Sequence, residues 1–207
     1  MARDPCRIED LETLEALYGP VPARALTKEV DRLTPHYRAF VEAAPFVALA
    51  TAGPEGLDCS PRGDPAGFVA AQDDRTLLMP DRPGNNRLDS LRNVLRDPRV
   101  ALLFLIPGLG ETLRVNGRAE LRTDPELLAR FEMRGRLPRT VLRIAVERAY
   151  YQCPKALVRS RLWDPASRPP RDRVPSAGAI QAALAPGEVD AEAYDCAYPE
   201  RMARTIY

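Results

Sequence analysis

Between Pro45 and Tyr151 the sequence breaks into short apolar runs, each closed by a turn, and few architectures accommodate that pattern. Residues 46–51 (FVALAT) read as a strand, 53–56 (GPEG) as a tight turn and 57–60 as the returning strand of a hairpin. Pro61 to Pro65 interrupts the pattern. Two further strands, 67–71 and 76–79, flank the turn 72–75, and residues 100–106 and a long strand over 111–122 follow. The stretch 140–151 (TVLRIAVERAYY) fits either a strand or a helix, and its Val, Ile and Tyr content favours the strand. Six or seven short antiparallel strands with one helix interposed predict a mainly β, α+β domain built as a small barrel, closed or nearly closed.

Helical periodicity surrounds this unit. Residues 7–18 place Ile8, Leu11, Leu14 and Leu17 on one stripe, and 22–33 place Leu26, Val30 and Leu33 on another, with Gly19-Pro20 between them. Thr34-Pro35 is a cap with a first-turn proline for a third helix ending at Ala44, and Thr123-Asp124-Pro125 caps another through Leu127, Leu128 and Phe131. After Trp163 the chain turns proline-rich (DPASRPPRDRVPS), then shows a short helix near 177–184 and a polar, tyrosine-bearing end. The expected division is a helical extension over 1–34, the barrel over 35–165, and a Pro-rich linker with a C-terminal extension over 166–207. Composition leaves open whether that tail crosses to a second subunit or lacks fixed structure.

A net charge of +1 gives no global field toward nucleic acid or an anionic membrane. The longest apolar run, 100–107, is too short to span a bilayer, and MARDPCRIEDLE lacks the apolar core of a signal peptide, so a cytoplasmic protein is expected. Cys6, Cys59, Cys153 and Cys196 show no paired spacing, and His36 is the single histidine, so neither a disulfide framework nor a metal site is indicated. Lysine occurs only at Lys28 and Lys155; with so many arginines, no single Arg is a strong signal.

Four segments carry polar chemistry where a barrel wall would be plain. In MPDRPGNNRLDSLRN, Asn85 and Asn86 are placed to cap a helix beginning near Asn86, whose first turn carries Arg87 with Arg82 just ahead. A cation there opposes the helix dipole, so Arg87 either pairs with Asp89 or Asp81 or serves an anion, most naturally a phosphate. The other segments are SPRGD with Arg62 and Asp64, CPKALVRS with Lys155, Arg159 and Ser160, and TLRVNGRA, where Thr112, Arg114, Asn116 and Arg118 share one face.

Taken in order, the hairpin, SPRGD, LMPDRPGNNRLDSLRNVL, DPRVALLFLIPG, ETLRVNGRAEL and CPKALVRSRLW resemble the pyridoxamine 5′-phosphate oxidase-like superfamily of flavin-binding split barrels, and within it a branch of bacterial flavoproteins. The resemblance covers about residues 35–165. It implies a split barrel that dimerises with FMN in the cleft between subunits. It further implies that Arg62 and Asp64 lie in a flavin-contacting segment and that Asn86 and Arg87 hold the phosphate, an anion that would also relieve Arg82. On the same pattern Thr112 faces the ring or ribityl chain, and Lys155, Arg159 and Ser160 close the site, from either subunit. One departure matters: the R-x-H pair that recognises substrate in true pyridoxamine phosphate oxidases is missing from SRLWDPASRPPRDR, so that substrate does not carry over.

No nucleophile, triad or carboxylate pair is evident, so the redox chemistry belongs to the cofactor. The leading expectation is an FMN-dependent oxidoreductase working by hydride transfer through flavin N5 on a small-molecule substrate or electron donor. The alternatives are a flavin-binding sensor or carrier without turnover, and a barrel that holds deazaflavin or haem, haem being weakened by the lone His36.

Overall fold

A computed structural model describes residues 6–207. Seven strands form one antiparallel sheet: β1 (Phe46–Gly53), β2 (Gly56–Gly63), β3 (Ala70–Ala71), β4 (Thr76–Pro80), β5 (Arg99–Leu105), β6 (Thr112–Arg122) and β7 (Val141–Gln152). Their order is β2-β1-β5-β6-β7-β4-β3, so the sheet has two free edges and is not closed by backbone pairing. The expected mainly β, α+β split barrel is the observed architecture, and 140–151 is a strand.

Side chains alternate across the wall. In β1 and β5 every second residue is buried: Val47, Leu49 and Thr51 oppose Phe104, Leu102 and Val100 in register. Leu77, Met79, Leu113, Val115, Leu142 and Ile144 complete the interior from the other strands. Each fully buried aliphatic side chain contributes about 1.5–3 kcal/mol of transfer free energy. All five residues of β4 are buried, because its second face is covered by α5 (Pro125–Arg130) and its neighbours: Leu78 packs with Phe131 and Val141, flanked by Leu127 and Leu128.

Where β2 and β4 do not pair, charged side chains close the seam. Arg62 donates to Asp81 at 2.5 Å, and Asp64 accepts from Arg82 at 2.6 Å. The exchange is reciprocal, one Arg and one Asp on each side. The Arg82 and Asp64 side chains are 15% and 1% exposed, so removing either partner would leave a buried charge uncompensated.

The remaining helices are α1 (Leu11–Tyr18), α2 (Ala23–Leu26), α3 (Pro35–Ala43), α4 (Asp89–Arg96), α6 (Lys155–Ser160), α7 (Ala177–Leu184) and α8 (Ala191–Thr205). The strand expected over 67–71 is only Ala70–Ala71, and β2 runs through Pro61 to Gly63 because Pro61, Arg62 and Gly63 stay in register with β1. Three further expectations need correction. The helix expected over 22–33 stops at Leu26, because Val30 exchanges both backbone hydrogen bonds with Ala149 of β7 and Leu33 N–H donates to Asp74; sheet pairing outweighs helical periodicity. The helix expected from Asn86 begins three residues later, at Asp89. The polar C-terminal stretch is a 15-residue helix with Pro199 inside it, capped by the Asp190 carboxylate. The Pro-rich connection contains two single 3₁₀ turns, Pro165–Ser167 and Arg171–Arg173.

Candidate functional site

The seam opens into a cleft of about 660 Å³, bounded by β2, the loop after β4, the start of α4 and the loop entering β7. Small-molecule sites commonly occupy about 300–1,000 Å³. Because strand side chains alternate, β2 turns Asp58, Ser60 and Arg62 inward while Leu57, Cys59 and Pro61 are exposed. The inward residues join a continuous chain of hydrogen bonds. Ser90 Oγ donates to Asp58 Oδ2 at 2.6 Å, Ser60 and Ser90 hydroxyls lie 3.0 Å apart, and Arg62 Nε donates to Ser60 Oγ at 3.2 Å. With Ser90 donating to Asp58, Ser60 donates to Ser90, and every donor in the chain points toward the carboxylate. Arg62 is thus held at Nε by Ser60 and at Nη1 by Asp81, which leaves Nη2 for a ligand.

The loop into α4 is shaped by two left-handed residues. Asn86 has φ 59° and Leu88, the N-cap, φ 65°; asparagine tolerates this region, whereas leucine there costs about 1–2 kcal/mol. No side chain caps α4, since Asn85 Oδ1 accepts instead from Arg87 N–H at 3.1 Å. The first intrahelical bond is Arg92 N–H to the Leu88 carbonyl, so the first-turn amides before it have no intrahelical acceptor. Asp89, Ser90 and Leu91 of that turn line the cleft.

Four guanidinium groups line the cleft, Arg62, Arg82, Arg87 and Arg139, and their partners separate them into two kinds. Arg82 donates from Nε to Asp64 and from Nη1 to the Phe131 carbonyl, so it braces the wall. Arg87 is 73% exposed and pairs only with Asp89, whose carboxylate holds the Arg87 pKa above its ordinary value. Exposed pairs of this kind are worth about 0–1 kcal/mol and exchange readily for a better anion. Among the described residues Arg139 has no carboxylate partner; it donates to Asn86 Oδ1 at 3.3 Å. Beside it, Thr140 Oγ1 is buried without a hydrogen-bond partner. Two available guanidinium groups, a third held ready, an uncapped helix start and an orphaned hydroxyl fit a phosphate ester.

Arg62, Arg82, Asn86 and Arg87 therefore share one cleft, as grouped from the sequence, and Asp64 stands directly behind Arg82. Thr112, Lys155, Arg159 and Ser160 do not line it. Thr112 is 4% exposed at the start of β6, opposite Gln152, and the other three are exposed on α6, just beyond the end of β7. Sequence reasoning missed Asp58, Ser90, Arg139 and Thr140. The two-residue spacing of Asp58, Ser60 and Arg62 was a usable signal; Arg139 and Thr140 reach the cleft only through the sheet order. Among the described residues no His, Cys, Met or Tyr lines the cleft. Among the described residues no cluster could hold a metal ion, and no helix is long and apolar enough to cross a membrane.

The model for pyridoxamine 5′-phosphate oxidase matches residues 33–153, more than half of the sequence. The chain belongs to the pyridoxamine 5′-phosphate oxidase family. The match runs from just before α3 to the end of β7 and takes in every strand, the seam and the cleft. Among solved structures, HupZ of Group A Streptococcus is 17% identical, covering 58% of this chain and 94% of its own, with a TM-score of 0.49. A Clostridium acetobutylicum protein related to general stress protein 26 of B. subtilis, of the pyridoxinephosphate oxidase family, is 14% identical over 57% of this chain and 86% of its own, with a TM-score of 0.44. General Stress Protein 26 of Bacillus anthracis is 15% identical over 55% and 88%, with a TM-score of 0.42. Identities this low transfer no residue roles. No curated protein matches the sequence.

Proposed function

We propose that this member of the family is an FMN-binding flavoprotein and an FMN-dependent oxidoreductase that acts on a small molecule, working as a homodimer. The observation that carries the reading is the anion site at the start of α4, where Arg87 and Arg139 lack a strong partner and the buried Thr140 hydroxyl has none. Arg87, Arg139, Asn86 and Nη2 of Arg62 would hold the phosphate, helped by the first-turn amides of α4. The Asp58–Ser90–Ser60 chain keeps Arg62 in register, Arg82 and Asp64 brace the wall, and Phe68, Leu88 and Leu91 supply apolar surface. Bound flavin supplies hydride exchange at N5, which is why the site needs no nucleophile of its own.

A second copy of the chain is supported by the outer face of the sheet. Phe46, Ala48, Ala50, Leu103 and Leu105 point outward there, half-buried or exposed, with Leu57 89% exposed beside them. Thr112 and the α6 residues Lys155, Arg159 and Ser160 are assigned to the cofactor bound across that junction. The test is the absorbance spectrum of the purified protein with the mass of any released ligand. Flavin bands with the mass of FMN, or their appearance when FMN is added, are expected. Protein that stays colourless in excess FMN would remove the proposal.

A further inference from the structure

The last residue of the sequence meets the cleft from behind. Tyr207 Oη donates to Asp64 Oδ1 at 2.6 Å, while the other oxygen of Asp64 accepts from Arg82. The Arg82 and Arg134 guanidinium carbons lie 5.7 and 5.0 Å from the centre of the Tyr207 ring, and Arg136 donates to the Tyr207 carbonyl oxygen. Arg134 adopts left-handed φ (53°), a conformation that costs energy in any residue with a Cβ. Three segments that form cleft walls converge here. Asp64 directly follows β2, Arg82 lies in the loop into α4, and Arg134 and Arg136 lie in the loop that delivers Arg139 and Thr140.

The attachment is unusually concentrated. α7 and α8 pack on each other, with Asp195 accepting from Gly178 N–H at 2.8 Å. Among the described residues beyond 174, the side-chain hydrogen bonds and ring contacts that reach the barrel are made by Tyr207. Among these polar and ring contacts, Tyr207 ties the C-terminal helices to the segments that shape the cleft.

We infer that Tyr207 is a positioning residue for the cleft: docked against Asp64, Arg82 and Arg134, it fixes the α4-entry loop, and ligand binding in the cleft and docking of the tail reinforce each other. The inference rests on the proposed FMN site for its ligand, not for the docking itself. Reciprocity follows from linkage, because whatever the docked tail adds to ligand affinity the ligand adds to docking.

Hydrogen exchange and FMN titration on the full chain test this with wild type, Tyr207→Phe and Tyr207→Ala. Without FMN, Tyr207→Ala should speed amide exchange in 81–87 and 132–136 at least ten-fold and leave the β1, β5 and β6 amides unchanged. FMN should bind Tyr207→Ala roughly ten-fold more weakly, with Tyr207→Phe between the two because its ring keeps the arginine contacts. Saturating FMN should slow exchange over 202–207 in wild type only. Unchanged loop exchange in Tyr207→Ala would overturn the inference whether or not FMN binds, as would faster loop exchange accompanied by an equal increase throughout the sheet. Wild type that binds no FMN would sink the flavin reading alone, with the ligand-free comparison still deciding the role of Tyr207.

Discussion

Arg62 is gripped by Ser60 at one nitrogen and Asp81 at another. Its orientation depends on a carboxylate two hydroxyls away. Asp58→Asn should therefore leave the charge of Arg62 intact yet weaken FMN binding about three- to ten-fold, the range expected for one hydrogen bond of about 1 kcal/mol. Arg62→Lys should do worse, since an ammonium cannot reproduce the planar fork. Titration by flavin fluorescence would measure both, and equal affinities for wild type and Asp58→Asn would remove the chain from the site. Tyr207 offers a pH test. Its hydrogen bond to Asp64 is the main cause that holds the phenol above its ordinary 10.0, opposed by Arg134 and Arg82. The docked state thus binds the phenolic proton more tightly than the undocked one. Docking contributes fully below about pH 10 and is lost as pH rises through the raised value. Tyrosinate absorbance should show a step above the ordinary tyrosine range that disappears in Tyr207→Phe. At this scale the sequence was informative where chemistry repeats locally: SPRGD and PGNNR both reach the cleft. It was silent where the partner is remote, since nothing in Asp64 announces a tyrosine 143 positions away.

The short helix α4 is held by an interlock with β1. A Cβ on Gly53 would fall 2.1 Å from Asn93 Oδ1, and Asn93, buried, donates from Nδ2 to Thr51 Oγ1 at 3.1 Å. Gly53→Ala should push α4 off the sheet and destabilise the protein by about 1–3 kcal/mol, read by denaturant unfolding, with FMN affinity falling because the helix start moves. Stability unchanged within error would mean that Asn93 yields without disturbing the helix. Strand periodicity was legible for most strands, including 140–151, because β-branched and aromatic residues alternate where one face is buried; it failed at 67–71 and at the Pro61 end of β2. Helix boundaries were legible for α3, α5 and α7 but not for α2 and α4. Asn85 and Asn86 are good caps by composition, but Asn85 folds onto Arg87 and Leu88 takes the left-handed N-cap, so a local turn displaced the expected start. The stripe over 22–33 failed for a tertiary reason, the pairing of Val30 with β7.

On the scale of the whole molecule, an open sheet with a charge-stapled seam has one apolar outer face and one polar cleft. If the outer face meets a second copy, Leu103→Asp should give a monomer by sedimentation that keeps its far-ultraviolet spectrum and binds FMN more weakly. A variant that stays dimeric would place the junction elsewhere. The seam, the uncapped helix and the arginines around it lead to a single central claim, that this cleft grips the phosphate of FMN. Equilibrium titration of FMN against wild type and the Arg87→Ala/Arg139→Ala double variant, with unfolding midpoints measured alongside, tests it most directly. The expected result is one FMN per chain in wild type and at least about ten-fold weaker binding in the variant at an unchanged midpoint. Equal affinity in the two proteins would contradict it.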